Sequence, residues 1–126
     1  MASNLYRFLS YPFDLQSLDK SIVELNIHPQ SGNDKTLSSV IFSNYPELQS
    51  ITVNDYCFSY AQSCEICDCN KLKTITIGKN AFLASQWECP SATFTIHNLP
   101  SLEHLFFDNY ACRSYGHFCI LGTYFD

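Results

Sequence analysis

The sequence predicts a β-rich solenoid, with short parallel strands stacked in a curved sheet, mostly turns between them, and short extra strands or 3-10 segments on the other side. Three observations predict it. An apolar residue, two spacers, an apolar residue, one spacer and a third apolar residue recur at Leu48-Gln-Ser-Ile51-Thr-Val53, Leu72-Lys-Thr-Ile75-Thr-Ile77 and Leu102-Glu-His-Leu105-Phe-Phe107. Each copy follows, at a fixed offset, a second apolar alternation that ends in Asn or Asp. The copies lie 24 and 30 residues apart, inside the period of roughly 20–50 residues that marks stacked repeats.

Taken in order, residues 1–17 read as an N-terminal cap or lead-in. The first unit is degenerate and centres on Ile22-Val-Glu-Leu25-Asn-Ile27, 26 residues before the second. Val40-Ile-Phe42-Ser-Asn44 then leads to Leu48, Cys64-Glu-Ile66-Cys-Asp68 to Leu72, and Phe94-Thr-Ile96-His-Asn98 to Leu102. Asn44, Asp68 and Asn98 each stand four residues before the leading Leu, and Pro46 and Pro100 share one place. This is turn chemistry, because Asn and Asp bond their own backbone and Pro presets φ. Five residues after each strand come Phe58, Phe82 and Cys112, which complete the inward set. The six extra residues of the longer interval fit a loop around Ala84-Ser-Gln-Trp-Glu-Cys-Pro90. Phe118-Cys-Ile120 repeats Phe94-Thr-Ile96 and opens a further copy. The expectation is one domain over residues 1–126, of about four units plus a partial fifth.

These residues resemble the leucine-rich repeat proteins. Leu72-Lys-Thr-Ile75-Thr-Ile77-Gly-Lys-Asn80-Ala-Phe82 fits that family's L-x-x-L-x-L-x-x-N-x-L pattern at every consensus position. Tyr56 and Tyr110 depart from it at the place of Asn80, and Cys112 at that of Phe82. The resemblance implies an Asn that bonds the backbone of neighbouring turns, so the turns carrying Tyr are expected to lack that ladder. The wording around Ile75 to Phe82 is similar to the BspA-like subgroup, which implies a cell-surface or secreted adhesion and interaction role.

Composition bounds the partners. Apolar residues make up 46% of the chain, enough to fill a core, while the charged share is 15% against about 25% in ordinary domains. A net charge of −5 argues against nucleic acid, whose binders concentrate Lys and Arg. Lys71, Lys73 and Lys79 form too thin a patch to reverse that. The start, Met1-Ala-Ser-Asn-Leu-Tyr-Arg7, holds no continuous apolar stretch of the signal-peptide kind. No run reaches the length of a membrane span, and no Asn-x-Ser/Thr sequon occurs. The expected address is therefore cytoplasmic, with no membrane insertion, and extracellular if the chain is a fragment.

Seven cysteines allow a metal site, a disulfide set or buried thiols. Cys64, Cys67 and Cys69 are the tightest cluster, and thiolates at such spacing can ligate zinc. The repeat register favours reduced filler: Cys64 stands with Val40 and Phe94, Cys69 with Tyr45 and Leu99, Cys57 with Ala81 and Ala111, and Cys112 with Phe58 and Phe82. Cys67 has Ser43 and His97 as counterparts and is expected to face out. Cys67 and Cys69 have opposite facing, so both cannot point at one metal. No metal and no cofactor are expected. His28, His97, His104 and His117 form no catalytic constellation, and the glycines form no nucleotide-binding pattern.

What remains is a surface. With Ile51 and Val53 inward, alternation turns Thr52 and Asn54 outward. The same offsets pick Asn26 and His28, Thr76 and Gly78, and Phe106 and Asp108. One position further back lie Glu24, Ser50, Thr74 and His104. Phe106, flanked by His104 and Asp108, has the make-up of an interface anchor with a polar rim. The candidate binding residues are Asn26, His28, Ser50, Thr52, Asn54, Thr74, Thr76, His104, Phe106 and Asp108. The expected function is a non-enzymatic protein-protein interaction module with a partner of unknown identity. Two alternatives stand beside it: a truncated repeat fragment without autonomous role, or one that self-associates end to end through an uncapped C-terminus; and metal binding at the Cys cluster.

Overall fold

The computed structural model describes residues 19–83, 89–113 and 115–121. Eight strands follow one another: β1 (Glu24–Ile27), β2 (Ser39–Ser43), β3 (Ser50–Val53), β4 (Ser63–Cys67), β5 (Thr74–Ile77), β6 (Cys89–His97), β7 (His104–Phe107) and β8 (Tyr115–Leu121). They form two four-stranded sheets, ordered β1-β3-β5-β7 and β2-β4-β6-β8, and every pairing is parallel. Successive strands therefore alternate between sheets. Parallel neighbours need a crossover connection, and here each crossover runs through the opposite sheet. The described residues contain no helix and no 3-10 segment, so the side opposite β1, β3, β5 and β7 is built of strands.

Period-two alternation explains why both sheets share one core. Leu25, Ile51 and Ile75 lie in one inward column and Ile27, Val53 and Ile77 in the next, all buried. From the other sheet Val40, Cys64 and Phe94 form one column and Phe42, Ile66 and Ile96 another, also buried. β-branched and aromatic side chains dominate these positions, as a pleated, half-buried surface favours. The leading Leu48, Leu72 and Leu102 are buried at the corners, each donating its N–H back to the carbonyl three residues earlier at 3.2–3.3 Å.

The corners require left-handed backbone. Asn44, Asp68 and Asn98, with φ of 61°, 57° and 53°, end β2, β4 and β6. A second set falls after each strand of the other sheet, at Tyr56 and Phe58, Asn80 and Phe82, and Tyr110 and Cys112. Gln30 and Gly32 hold the same places in the first turn. Such a conformation costs an L-residue about 1–2 kcal/mol, and bonds between turns hold it. Tyr56 donates its N–H to Lys79 O, Phe58 to Ser31 O, Phe82 to Cys57 O and Cys112 to Ala81 O, at 2.8–3.0 Å. The turn carrying Tyr56 is thus bonded through its main chain, and the Asn33 side chain of the preceding turn adds to it, donating to the Tyr56 carbonyl and accepting from the Ser59 N–H, each at 2.8 Å.

Aromatic packing runs across the core. Phe58 stacks on Phe82 at 5.1 Å, Phe82 meets Phe94 edge-on at 5.6 Å, and Phe94 meets Phe107 at 5.4 Å. Residues 84–88 of the expected loop lie outside the described residues. Cys89 and Pro90 are a correction, since they belong to β6, and Cys89 pairs with Tyr115 across a register shift. Phe107 points inward, as the repeat predicts, and packs against the core, but is only partly buried, because β7 is the last described strand of its sheet.

Candidate binding face

The outward side of β1, β3, β5 and β7 is built by strand register. Glu24, Ser50, Thr74 and His104 align in one column, and Asn26, Thr52, Thr76 and Phe106 in the next. Strands about 4.8 Å apart bring these side chains close enough to act together. His28, Asn54, Gly78 and Asp108 continue the face just past the strands. All ten candidate residues are half-buried or exposed.

The face is graded along the sheet. At its first end the Asn54 amide donates to Asn26 Oδ1 at 2.6 Å and to the Ile27 carbonyl at 2.7 Å, so these amides are already engaged. In the middle stand Ser50, Thr52, Thr74 and Thr76, short and uncharged. Gly78 is buried there, and only glycine fits, because a Cβ would lie 2.6 Å from the backbone of Asn54 and 2.7 Å from Asp55 Oδ1. Asp55 uses that space to accept the Lys79 N–H at 2.9 Å. At the far end Phe106 is 56% exposed, with His104 and Asp108 exposed on either side of it in sequence.

The second sheet turns Ser39, Ser63, Thr93 and His117, then Ile41, Glu65, Thr95 and Cys119, to its outer side. Ile41 is exposed there. Cys64-x-x-Cys67-x-Cys69 does not converge on one point. Cys64 is part of the core, Cys69 lies at a buried corner and donates to the Cys67 carbonyl at 3.3 Å, and Cys67 projects from the opposite side. Cys57, Cys64, Cys69 and Cys112 are buried free thiols, as the repeat register predicts. Burial pushes the Cys57 thiol up to about 11 and holds Cys64 and Cys112 above the ordinary range as well.

Cys67 corrects the expectation of an exposed residue. It points outward by alternation but is only 5% exposed, and it stays outside the apolar core cluster. Its surroundings are polar. His97, its Cα partner on β6, places Nε2 2.7 Å from Glu65 Oε2, and one ligand atom from each of Glu65, Cys67 and His97 lies within 4.8 Å of the others. Burial raises the Cys67 thiol to about 12, with the Glu65 and Asp68 carboxylates adding to it. The sequence reading aligned His97 with Cys67 but assigned it no role, and it missed Glu65. The available signal was Glu65-x-Cys67 on one strand face with His97 at the register position of Cys67.

No family model, curated protein or solved structure matches this chain.

Proposed function

We propose that this chain is a leucine-rich repeat solenoid of the BspA-like kind, a non-enzymatic module whose face on β1, β3, β5 and β7 binds a protein partner. The observation that carries the reading is Phe106, a large apolar side chain exposed at the end of a neutral polar column. Interface anchors are enriched in aromatic residues surrounded by a polar rim, and His104 and Asp108 supply that rim. The negative net charge supports a protein rather than a nucleic acid as partner. The free buried thiols favour a reducing, cytoplasmic setting over the cell-surface or secreted address that the BspA-like resemblance implies.

Affinity capture with the wild-type chain, Phe106→Ala and Thr76→Arg tests the reading. Ile41→Arg, on the outer side of the other sheet, serves as control. Partners lost from both face variants and kept by the control support it; partners kept by both face variants overturn it.

A second reading, end-to-end association of identical chains, has its own observation. Phe118 and Ile120 of β8 pair in register with core residues Phe94 and Ile96, yet they are 50% and 44% exposed. Among the described residues β7 and β8 are the last strands of their sheets, and unpaired backbone groups at such an edge can template a further strand. Light scattering that shows mass rising with concentration, and Phe118→Asp abolishing the rise, supports this reading; a monomer at all concentrations removes it.

A further inference from the structure

We propose that Glu65, Cys67 and His97 form a binding site for one zinc ion, with water as the fourth ligand. The β4–β6 pairing builds it. Glu65 and Cys67 are two residues apart and share the outer side of β4, while His97 is the Cα partner of Cys67 on β6. A carboxylate oxygen, a thiol sulfur and an imidazole nitrogen thus converge from two backbone segments that the sheet holds rigidly.

The donor set and its dimensions suit zinc. Zinc takes Cys, His and carboxylate ligands at about 2.0–2.3 Å in tetrahedral geometry, which separates ligand atoms by about 3.3–3.6 Å. Here those atoms lie within 4.8 Å of one another, with His97 Nε2 2.7 Å from Glu65 Oε2. Side-chain rotation of Glu65 and His97, which are 42% and 34% exposed, brings them to that spacing. Cys67 is nearly covered whereas Glu65 and His97 reach solvent, so water can complete the ligand set from their side. Softer thiolate ligands disfavour magnesium and calcium.

Binding is a simple exchange. The Glu65–His97 hydrogen bond breaks, His97 carries its proton on Nδ1 and offers the Nε2 lone pair, and the Cys67 thiol releases its proton to solvent. One thiolate and one carboxylate then balance the charge of the ion. The site differs from the Cys64, Cys67 and Cys69 cluster, of which it keeps only Cys67.

Cobalt and zinc titrations of the full chain, with a chromophoric chelator in competition, test the proposal. The expected result is one ion per chain, with a sulfur-to-cobalt charge-transfer band that Cys67→Ser removes. Glu65→Gln and His97→Gln weaken zinc binding by about 100-fold or more, since even indirect partners of a metal ligand contribute about 10–100-fold. Cys119→Ser and Cys69→Ala retain the band. His97→Gln alters a half-exposed side chain and remains decisive if Cys67→Ser fails to fold. Absence of zinc binding, or binding unchanged in His97→Gln, overturns the proposal.

Discussion

The Tyr115 hydroxyl donates a 2.7 Å hydrogen bond to the carbonyl of Ala61, 54 residues earlier in the chain. Both residues are buried, and the Tyr115 ring packs edge-on against Phe82 at 6.1 Å. One side chain therefore ties β8 to the corner before β4 through both polar and aromatic contact. Tyr115→Phe keeps the ring and strands the carbonyl. The expected loss is about 1–3 kcal/mol, the cost of a buried acceptor left unpaired, read as a lower urea midpoint at unchanged slope.

Phe82 and Phe106 separate stability from binding. Phe82 is fully buried and contacts Phe58, Phe94 and Tyr115. Phe82→Ala is expected to cost about 3–5 kcal/mol. Phe106→Ala removes an exposed ring and is expected to stay within about 0.5 kcal/mol of wild type. Chemical denaturation of the two variants side by side checks the contrast.

Two glycines are fixed by close approach. A Cβ on Gly32, where φ is +72°, would lie 2.5 Å from the Phe58 ring, and one on Gly78 would meet the Asn54 backbone. Gly32 stands in the inward place that Phe58, Phe82 and Cys112 fill in later turns, so the Phe58 ring covers its Cα. Alanine at either position is expected to destabilise by about 1–3 kcal/mol. A thermal midpoint equal to wild type for either variant contradicts this.

Tyr56 occupies the left-handed region at φ 60° with an exposed side chain. Asn80 meets the same demand one turn later with a residue suited to it. Tyr56→Asn is expected to raise stability by about 0.5–1 kcal/mol, because the bond from its N–H to Lys79 O survives. Thermal unfolding measures the gain.

Alkaline pH is expected to unfold the protein through its buried thiols. Burial raises Cys57 from 9.0 to about 11 and raises Cys112 further, so the folded state holds these protons more tightly than the unfolded one. The resulting stability is complete below about pH 9 and is lost as pH rises toward 11 and beyond, because the unfolded chain sheds protons first. Urea unfolding under reducing conditions at pH 7, 9 and 10.5 should give falling midpoints. Cys57→Ala, which matches Ala81 and Ala111, should flatten the fall.

Much of the architecture is legible in the residues. The alternation at Ile51 and Val53 and its copies identifies strands and their inward faces. The Asn and Asp residues that close β2, β4 and β6 mark left-handed corners. Aligning the copies also predicts the columns from Asn26 to Phe106 and from Ser50 to His104. Pro90 misleads because a residue that ordinarily ends strands sits here at the start of β6, beside a register shift.

Direction along a strand is therefore what the sequence by itself determined: every side chain's inward or outward sense follows from a local two-residue period. Burial and proximity were decided only by tertiary structure, because both depend on neighbours supplied from elsewhere in the chain. Cys67 points outward and is covered, since the β4–β6 ladder brings His97 alongside it and Glu65 lies next to it on the same strand face. Phe118 points inward and is exposed, since β8 is the last described strand of its sheet.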